Sequence, residues 1–153
     1  KVHITNAVEL LNPSENAAGR QALRDFVEPR YLHQTYARFA DGRIEQRLDL
    51  TLEDIERQPP DDFMKATSWR VHFHVPIFAE SLGALRTTRT DLAAALKKVA
   101  TLNYAPHLEV ETYTWPVMPG ESASPALSLA DRIAHELQSA AELLRDAAEH
   151  EAH

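Results

Sequence analysis

Followed for the alternation of apolar and polar positions, the chain divides into short strands separated by helices. Residues 1–5, KVHIT, set Val2 and Ile4 on one side and Lys1, His3 and Thr5 on the other, a short strand. Asn12-Pro13-Ser14-Glu15 combines a capping residue, a proline suited to the first helical turn and a Glu three residues after the cap. It predicts a helix with Leu23, Phe26 and Val27 on its stripe, ended at Glu28-Pro29. In YLHQTYARFADGRIEQRLDL, residues 31–50, Asp41-Gly42 joins two β-prone runs and predicts a hairpin over about 30–50. Thr51-Leu-Glu-Asp54 resembles a capping box for a short helix closed by Pro59-Pro60. WRVHFHVPIF, residues 69–78, is the next main strand, with Val71, Phe73, Val75 and Ile77 opposite Arg70, His72 and His74. Thr88 to Asp91 caps a helix carrying Leu92, Ala95, Leu96 and Val99. HLEVETYTW, residues 107–115, is a third strand, with Leu108, Val110 and Thr112 opposite His107, Glu109, Glu111 and Tyr113. A Pro/Gly/Ser-rich loop leads to a terminal helix over about 125–150, its stripe Leu129, Ile133, Leu137, Ala140 and Leu144.

Strands separated by helices argue for parallel βαβ units. Each main strand has one aliphatic and one polar face. An open doubly wound sheet would cover both faces with helices, whereas the inner face of a (β/α) barrel carries polar groups toward its mouth. The expected fold is therefore α/β, three β/α units of a TIM barrel with an inserted β-hairpin, residues 1–153 forming one segment. A full barrel takes roughly 250 residues, so the chain reads as part of a longer protein. Its bare strand edges are expected to pair with the missing half or with a second copy.

Composition narrows the function. The 153 residues are 44% hydrophobic and 25% charged, enough for a core. The net charge of −7 argues against a nucleic-acid groove, which needs a basic stripe. The chain has no cysteine, which excludes disulfides and Cys-based zinc sites and points to a cytoplasmic setting. No apolar run approaches the ~18–20 residues that span a bilayer. Dinucleotide-binding, P-loop and nucleophile-elbow motifs are absent, and His135-Glu136-Leu137 lacks the second histidine of a zincin motif.

The polar faces collect Lys1, His3, Arg70, His72, His74, Glu109, Glu111 and Tyr113. Imidazole and carboxylate together suit a divalent metal. Two residues apart on one strand lie about 6–7 Å from each other, so one ligand from each strand end is easier. Proximity to the C-terminal strand ends favours His74 over His72 and Glu111 over Glu109. The plainer alternatives are a hydrogen-bonded His72/His74 pair, and ion pairs of Glu109 and Glu111 with Arg70 or Lys1.

WRVHFHVPIF and HLEVETYTW, with YLHQ ahead of the Asp-Gly turn, resemble the xylose-isomerase-like TIM-barrel proteins of the ebo metabolite-traffic cluster, relatives of sugar phosphate isomerases and epimerases. The resemblance runs to about Pro119 and implies that these are the C-terminal three units of a (β/α)8 barrel. It implies a divalent metal (Mn, Mg, Zn or Co) at the mouth, held by Glu111 or Glu109 and by His72 or His74, and the strand-end argument selects His74 and Glu111 as the metal ligands. Glu109 and His72 would orient the substrate or move protons, and Arg70, His3 and Tyr113 would contact it. The strand KVHIT has no Asp where the wider superfamily often has one, only His3. The implied activity is isomerisation or epimerisation of a small sugar, polyol or sugar phosphate. The alternative is a non-catalytic metabolite-binding protein that uses the same pocket.

Overall fold

The computed structural model describes residues 1–56, 62–112, 114–119 and 127–149. The chain forms β1 (Val2–Ile4), β2 (Asn6–Leu11), α1 (Ala17–Leu23), β3 (Thr35–Arg38), β4 (Ile44–Arg47) and α2 (Leu52–Glu56). It continues through β5 (Ser68–Val75), β6 (Ser81–Leu82), β7 (Leu85–Thr87), α3 (Arg89–Ala100), β8 (Leu108–Val110) and α4 (Leu129–Glu149). These elements group into two compact units. A helical unit comprises Lys1–Asn6, His74–Glu80 and Thr88–His153, and a sheet unit comprises Ala7–Phe73 and Ser81–Thr87.

The barrel expectation is overturned. A sheet of six strands runs in the order β4-β3-β5-β2-β7-β6, and β1 and β8 form a separate two-stranded sheet. β1 and β8 are parallel, with His3 opposite Glu109, but β5 takes antiparallel β3 as a neighbour, with Thr35 opposite Val71. The predicted hairpin is present, since β3 and β4 pair antiparallel about a turn in which Gly42 has φ +86°. It is an integral part of the sheet, not an insertion. The physical reason lies in the polar faces. An antiparallel sheet can cover one face and leave the other to water, so the alternation in WRVHFHV suits it as well as it suits a barrel. A hairpin also offers β5 a partner close in sequence, at a lower loop-closure cost than a distant parallel strand.

Three strands of this sheet lie where the sequence pattern suggested none. Asn6–Leu11 continues as β2 directly after β1, and β6 and β7 pair antiparallel about Gly83-Ala84, with Gly83 at φ +62°. Asn12 adopts φ +47° and turns the chain, so α1 starts later than predicted, where the Asn16 side chain accepts from the Gly19 N–H at 2.8 Å. The capping box at Thr51 and Asp54 forms as expected, with the Thr51 hydroxyl and N–H both donating to the Asp54 carboxylate. The prolines at 59 and 60 lie outside the described residues.

The sheet unit buries Trp69, Val71 and Phe73 along one face of β5. Phe26 meets Phe73 edge-on at 5.1 Å, and Phe63 packs on Trp69 at 5.0 Å. The helical unit has a smaller core of Ile4, Ile77, Leu96, Ala140 and Ala147, with Leu92, Leu108, Val110, Leu143 and Leu144 against it. The stripe expected on α4 is two rows. Ala140 and Leu144 face the core, whereas Leu129, Ile133 and Leu137 are 56%, 42% and 55% exposed. Extending the core row back by one helical turn from Ala140 reaches Glu136, which has no solvent exposure.

Candidate functional site

The parallel register of β1 and β8 brings several of the sequence candidates together. Lys1 Nζ lies 2.7 Å from Glu109 Oε2, His3 Nε2 lies 3.6 Å from the same oxygen, and His107 Nε2 lies 3.5 Å from Oε1. His3 Nδ1 pairs with the Glu111 carboxylate. The Lys1 hydrogen bond holds the Glu109 carboxyl below its ordinary value of 4.5. Glu109 is thus the Lys1 ion pair that was the plainer alternative, in a network about a third or more exposed to solvent.

His74 is buried. Its Nδ1 lies 2.7 Å from the Glu111 carbonyl. A carbonyl only accepts, so Nδ1 carries the proton. The His74 carbonyl accepts from the Thr114 hydroxyl. Arg70 and His72 belong to the other unit. There Arg70 Nε donates to Glu9 Oε1 at 3.0 Å, and the His72 backbone N–H donates to Gln34 O at 2.8 Å. Tyr113 lies outside the described residues. Among the described residues, no group of three or more His, Cys, Asp or Glu is placed to hold a metal ion.

The arrangement with most chemical potential is one that the strand pattern did not point to. A cleft of about 510 Å³ in the helical unit is walled by Val110, Thr112, Pro116, Leu129 and Ile133, with Glu111 beside them. Glu136 forms its floor. The start of α4 is fixed by a reciprocal pair: the Ser128 hydroxyl and N–H donate to Asp131 Oδ2, and the Asp131 N–H donates to Ser128 Oγ. These bonds hold the Asp131 carboxyl below its ordinary value. With the helix start so placed, Leu129 and Ile133, one turn apart, share the cleft wall, and Glu136 follows three residues later on the same side. Nearby, the Arg132 guanidinium lies 4.7 Å from the centre of the Trp115 ring.

The Glu136 carboxyl is half satisfied. Oε2 accepts from Thr112 Oγ1 at 2.9 Å and from the Ile77 N–H at 3.3 Å. Oε1 is buried and has no hydrogen-bond partner. Burial pushes its pKa above the ordinary 4.5, while the Thr112 and Ile77 hydrogen bonds and the nearby His135 pull the other way. A carboxyl of this kind can exchange a proton, or pair with a ligand's charge, in a setting of low dielectric. The sequence contained one signal for it, a Glu in register with Ala140, Leu144 and Ala147, which the outer row of leucines obscured.

No family model, curated protein or solved structure matches the chain. Among the described residues, no helix is long and apolar enough to cross a membrane.

Proposed function

We propose that the helical unit is a small-molecule-binding module and that its site is the cleft above Glu136. One observation carries this reading: a fully buried carboxyl with an unpartnered oxygen at the floor of an apolar-walled cleft. Leaving a buried polar atom unpaired costs about 1–3 kcal/mol. Such a cost is commonly retained where the group serves a ligand or a reaction. The volume of about 510 Å³ falls within the ~300–1,000 Å³ range of small-molecule sites. This keeps the metabolite-binding alternative from the sequence and moves it from a barrel mouth to the cleft. A sugar phosphate suits the cleft poorly, because its described lining offers two carboxylates and no Lys or Arg.

The test is a fragment screen by amide NMR on the whole chain, with cationic, neutral and anionic members. Fragments are expected to shift the Thr112, Leu129 and Ile133 amides together, and Ile133→Trp, which sets an indole into the cleft wall, is expected to weaken those shifts. A screen that never moves this group of amides, or shifts left unchanged by Ile133→Trp, would remove the site.

A further inference from the structure

We infer that the cleft selects an organic ammonium ion, a primary or secondary amine with a compact hydrocarbon body. The inference rests on the binding role proposed above and adds the ligand's chemical class.

Charge is the first argument. Glu111 and Glu136 both line the cleft, and no described lining residue is basic. An anionic ligand would meet two carboxylates, whereas a cation gains from both. Hydrogen bonding is the second. Two donors already converge on Glu136 Oε2, so the unfilled capacity is on Oε1. A carboxylate oxygen is an acceptor, and the ligand must bring an N–H to it. The wall chemistry is the third. Val110, Pro116, Leu129 and Ile133 present hydrocarbon, which suits an aliphatic or aromatic body and leaves a polyol's hydroxyls mostly unpaired. The described walls contain no aromatic ring, so they lack the cage that holds a quaternary ammonium by its methyl groups. The cation therefore has to carry N–H donors.

Glu136 has no solvent exposure, so a ligand nitrogen reaches it only as lining side chains turn aside. Leu129 and Ile133, 56% and 42% exposed, have the room to do so. Among the described residues, the charged and titratable groups near the carboxyl include Glu111 on the cleft lining, His135 and, one turn back, Arg132 on α4, and Arg89, which donates to the Ile77 carbonyl. Beyond Glu111 lie His3, paired to its carboxylate, and His74, bonded to its carbonyl. An ammonium nitrogen beside Glu136 favours the ionised carboxylate and offsets the effect of burial.

Four probes of one shape test this by calorimetry and amide NMR on the whole chain: cyclohexylmethylamine, cyclohexylmethanol, cyclohexanecarboxylate and the N,N,N-trimethyl derivative of the amine. The amine is expected to bind about tenfold or more tightly than the alcohol, with the carboxylate and the trimethyl compound weaker still. In Glu136→Gln the amine's advantage over the alcohol is expected to shrink severalfold, to what Glu111 alone supplies. If that variant does not fold, the wild-type pH profile decides. From pH 8 to pH 4 the amine stays charged, and its affinity is expected to fall as Glu136 takes up a proton, while the alcohol's affinity holds. Alcohol binding as tight as the amine's, tight binding of the trimethyl compound, or parallel pH profiles would overturn the ammonium inference and leave the cleft a binding site. If none of the four probes moves the cleft amides, the ammonium inference falls. The binding site itself falls only if the wider fragment screen also fails.

Discussion

Each unit holds one tryptophan, and the two are treated differently. In the sheet unit, Trp69 is fully buried, and its indole N–H donates to Phe63 O at 2.9 Å. In the helical unit, Trp115 is 7% exposed, and its indole nitrogen is buried without a partner. The same contrast holds for the other polar atoms. Of the four buried side-chain atoms without hydrogen-bond partners among the described residues, Asn6 Oδ1, Trp115 Nε1 and Glu136 Oε1 belong to the helical unit, and His33 Nε2, 3.7 Å from Glu28 Oε1, belongs to the sheet unit. The sheet unit clusters several aromatic rings, Phe26, Phe63, Trp69 and Phe73, whereas the main core cluster of the helical unit is two isoleucines, a leucine and two alanines, with Trp115 and Met118 buried as well. The difference teaches where to look for function. A satisfied core specifies a fold, and unsatisfied groups beside a cleft mark the part kept for something else.

The largest expected effect breaks or confirms that contrast directly. Trp69→Ala removes a buried ring, its contact with Phe63 and a made hydrogen bond, and should cost about 3–5 kcal/mol in urea unfolding. Trp115→Ala removes a ring whose N–H was already unpaired, so its cost should be smaller by about 1 kcal/mol or more. Equal losses would show that the two cores are equally well satisfied and would end the comparison.

The elements were more legible in the sequence than their assembly. The Asp41-Gly42 hairpin, the Thr51/Asp54 box and the terminal helix follow from local chemistry, and local chemistry forms them. The sheet order does not follow from it. One apolar and one polar face on β5 is compatible with a barrel wall and with a half-solvated antiparallel sheet, and only the pairing of Thr35 with Val71 separates the two. The run Asn6–Leu11 has buried residues at Asn6, Val8, Glu9 and Leu10, which is not a strict alternation, so period two did not reveal a strand. His3 and Glu109 stand opposite each other in the β1–β8 register, and Glu111, just past β8, pairs with His3. Of the cleft lining, the polar strand face pointed to Glu111. Glu136 was obscured because Leu129, Ile133 and Leu137 form an apolar row more conspicuous than the row that is buried.

The next effect concerns Glu136 alone. Its pKa is raised in the folded protein, so between 4.5 and the folded value the native state holds more protons than the unfolded state. Stability is therefore full below pH 4.5 as far as this group is concerned, and it declines as pH rises toward the folded value. Each unit of upward shift corresponds to about 1.4 kcal/mol. Glu136→Gln removes the charge, keeps the shape and should flatten this decline, so that the variant gains on the wild type as pH rises from 4 to 8. Urea midpoints at five pH values would show it. A wild type and variant that keep a constant difference across the range would mean that Glu136 is not strained by burial, and that the helical unit is as well satisfied as the sheet unit.

The smallest effect comes from the exposed carboxylates, and it has the opposite sign. Glu109 is held below its ordinary value chiefly by Lys1. Its contribution to stability is present above pH 4.5 and is lost as pH falls through the folded value. Lys1→Ala should return the Glu109 carboxyl toward its ordinary range, read from the pH titration of its side-chain carbonyl resonance. The urea midpoint at pH 7 should stay within error, because solvent screens an exposed pair. Two carboxylates of one unit would then titrate in opposite senses. Glu109 is adjusted by a neighbour that water can replace, and Glu136 by a burial that only a ligand or a proton can relieve. If Lys1→Ala lowered stability as much as the Glu136 pH effect, the β1–β8 cluster would be a structural brace, and the division between an exposed network and a buried site would have to be redrawn.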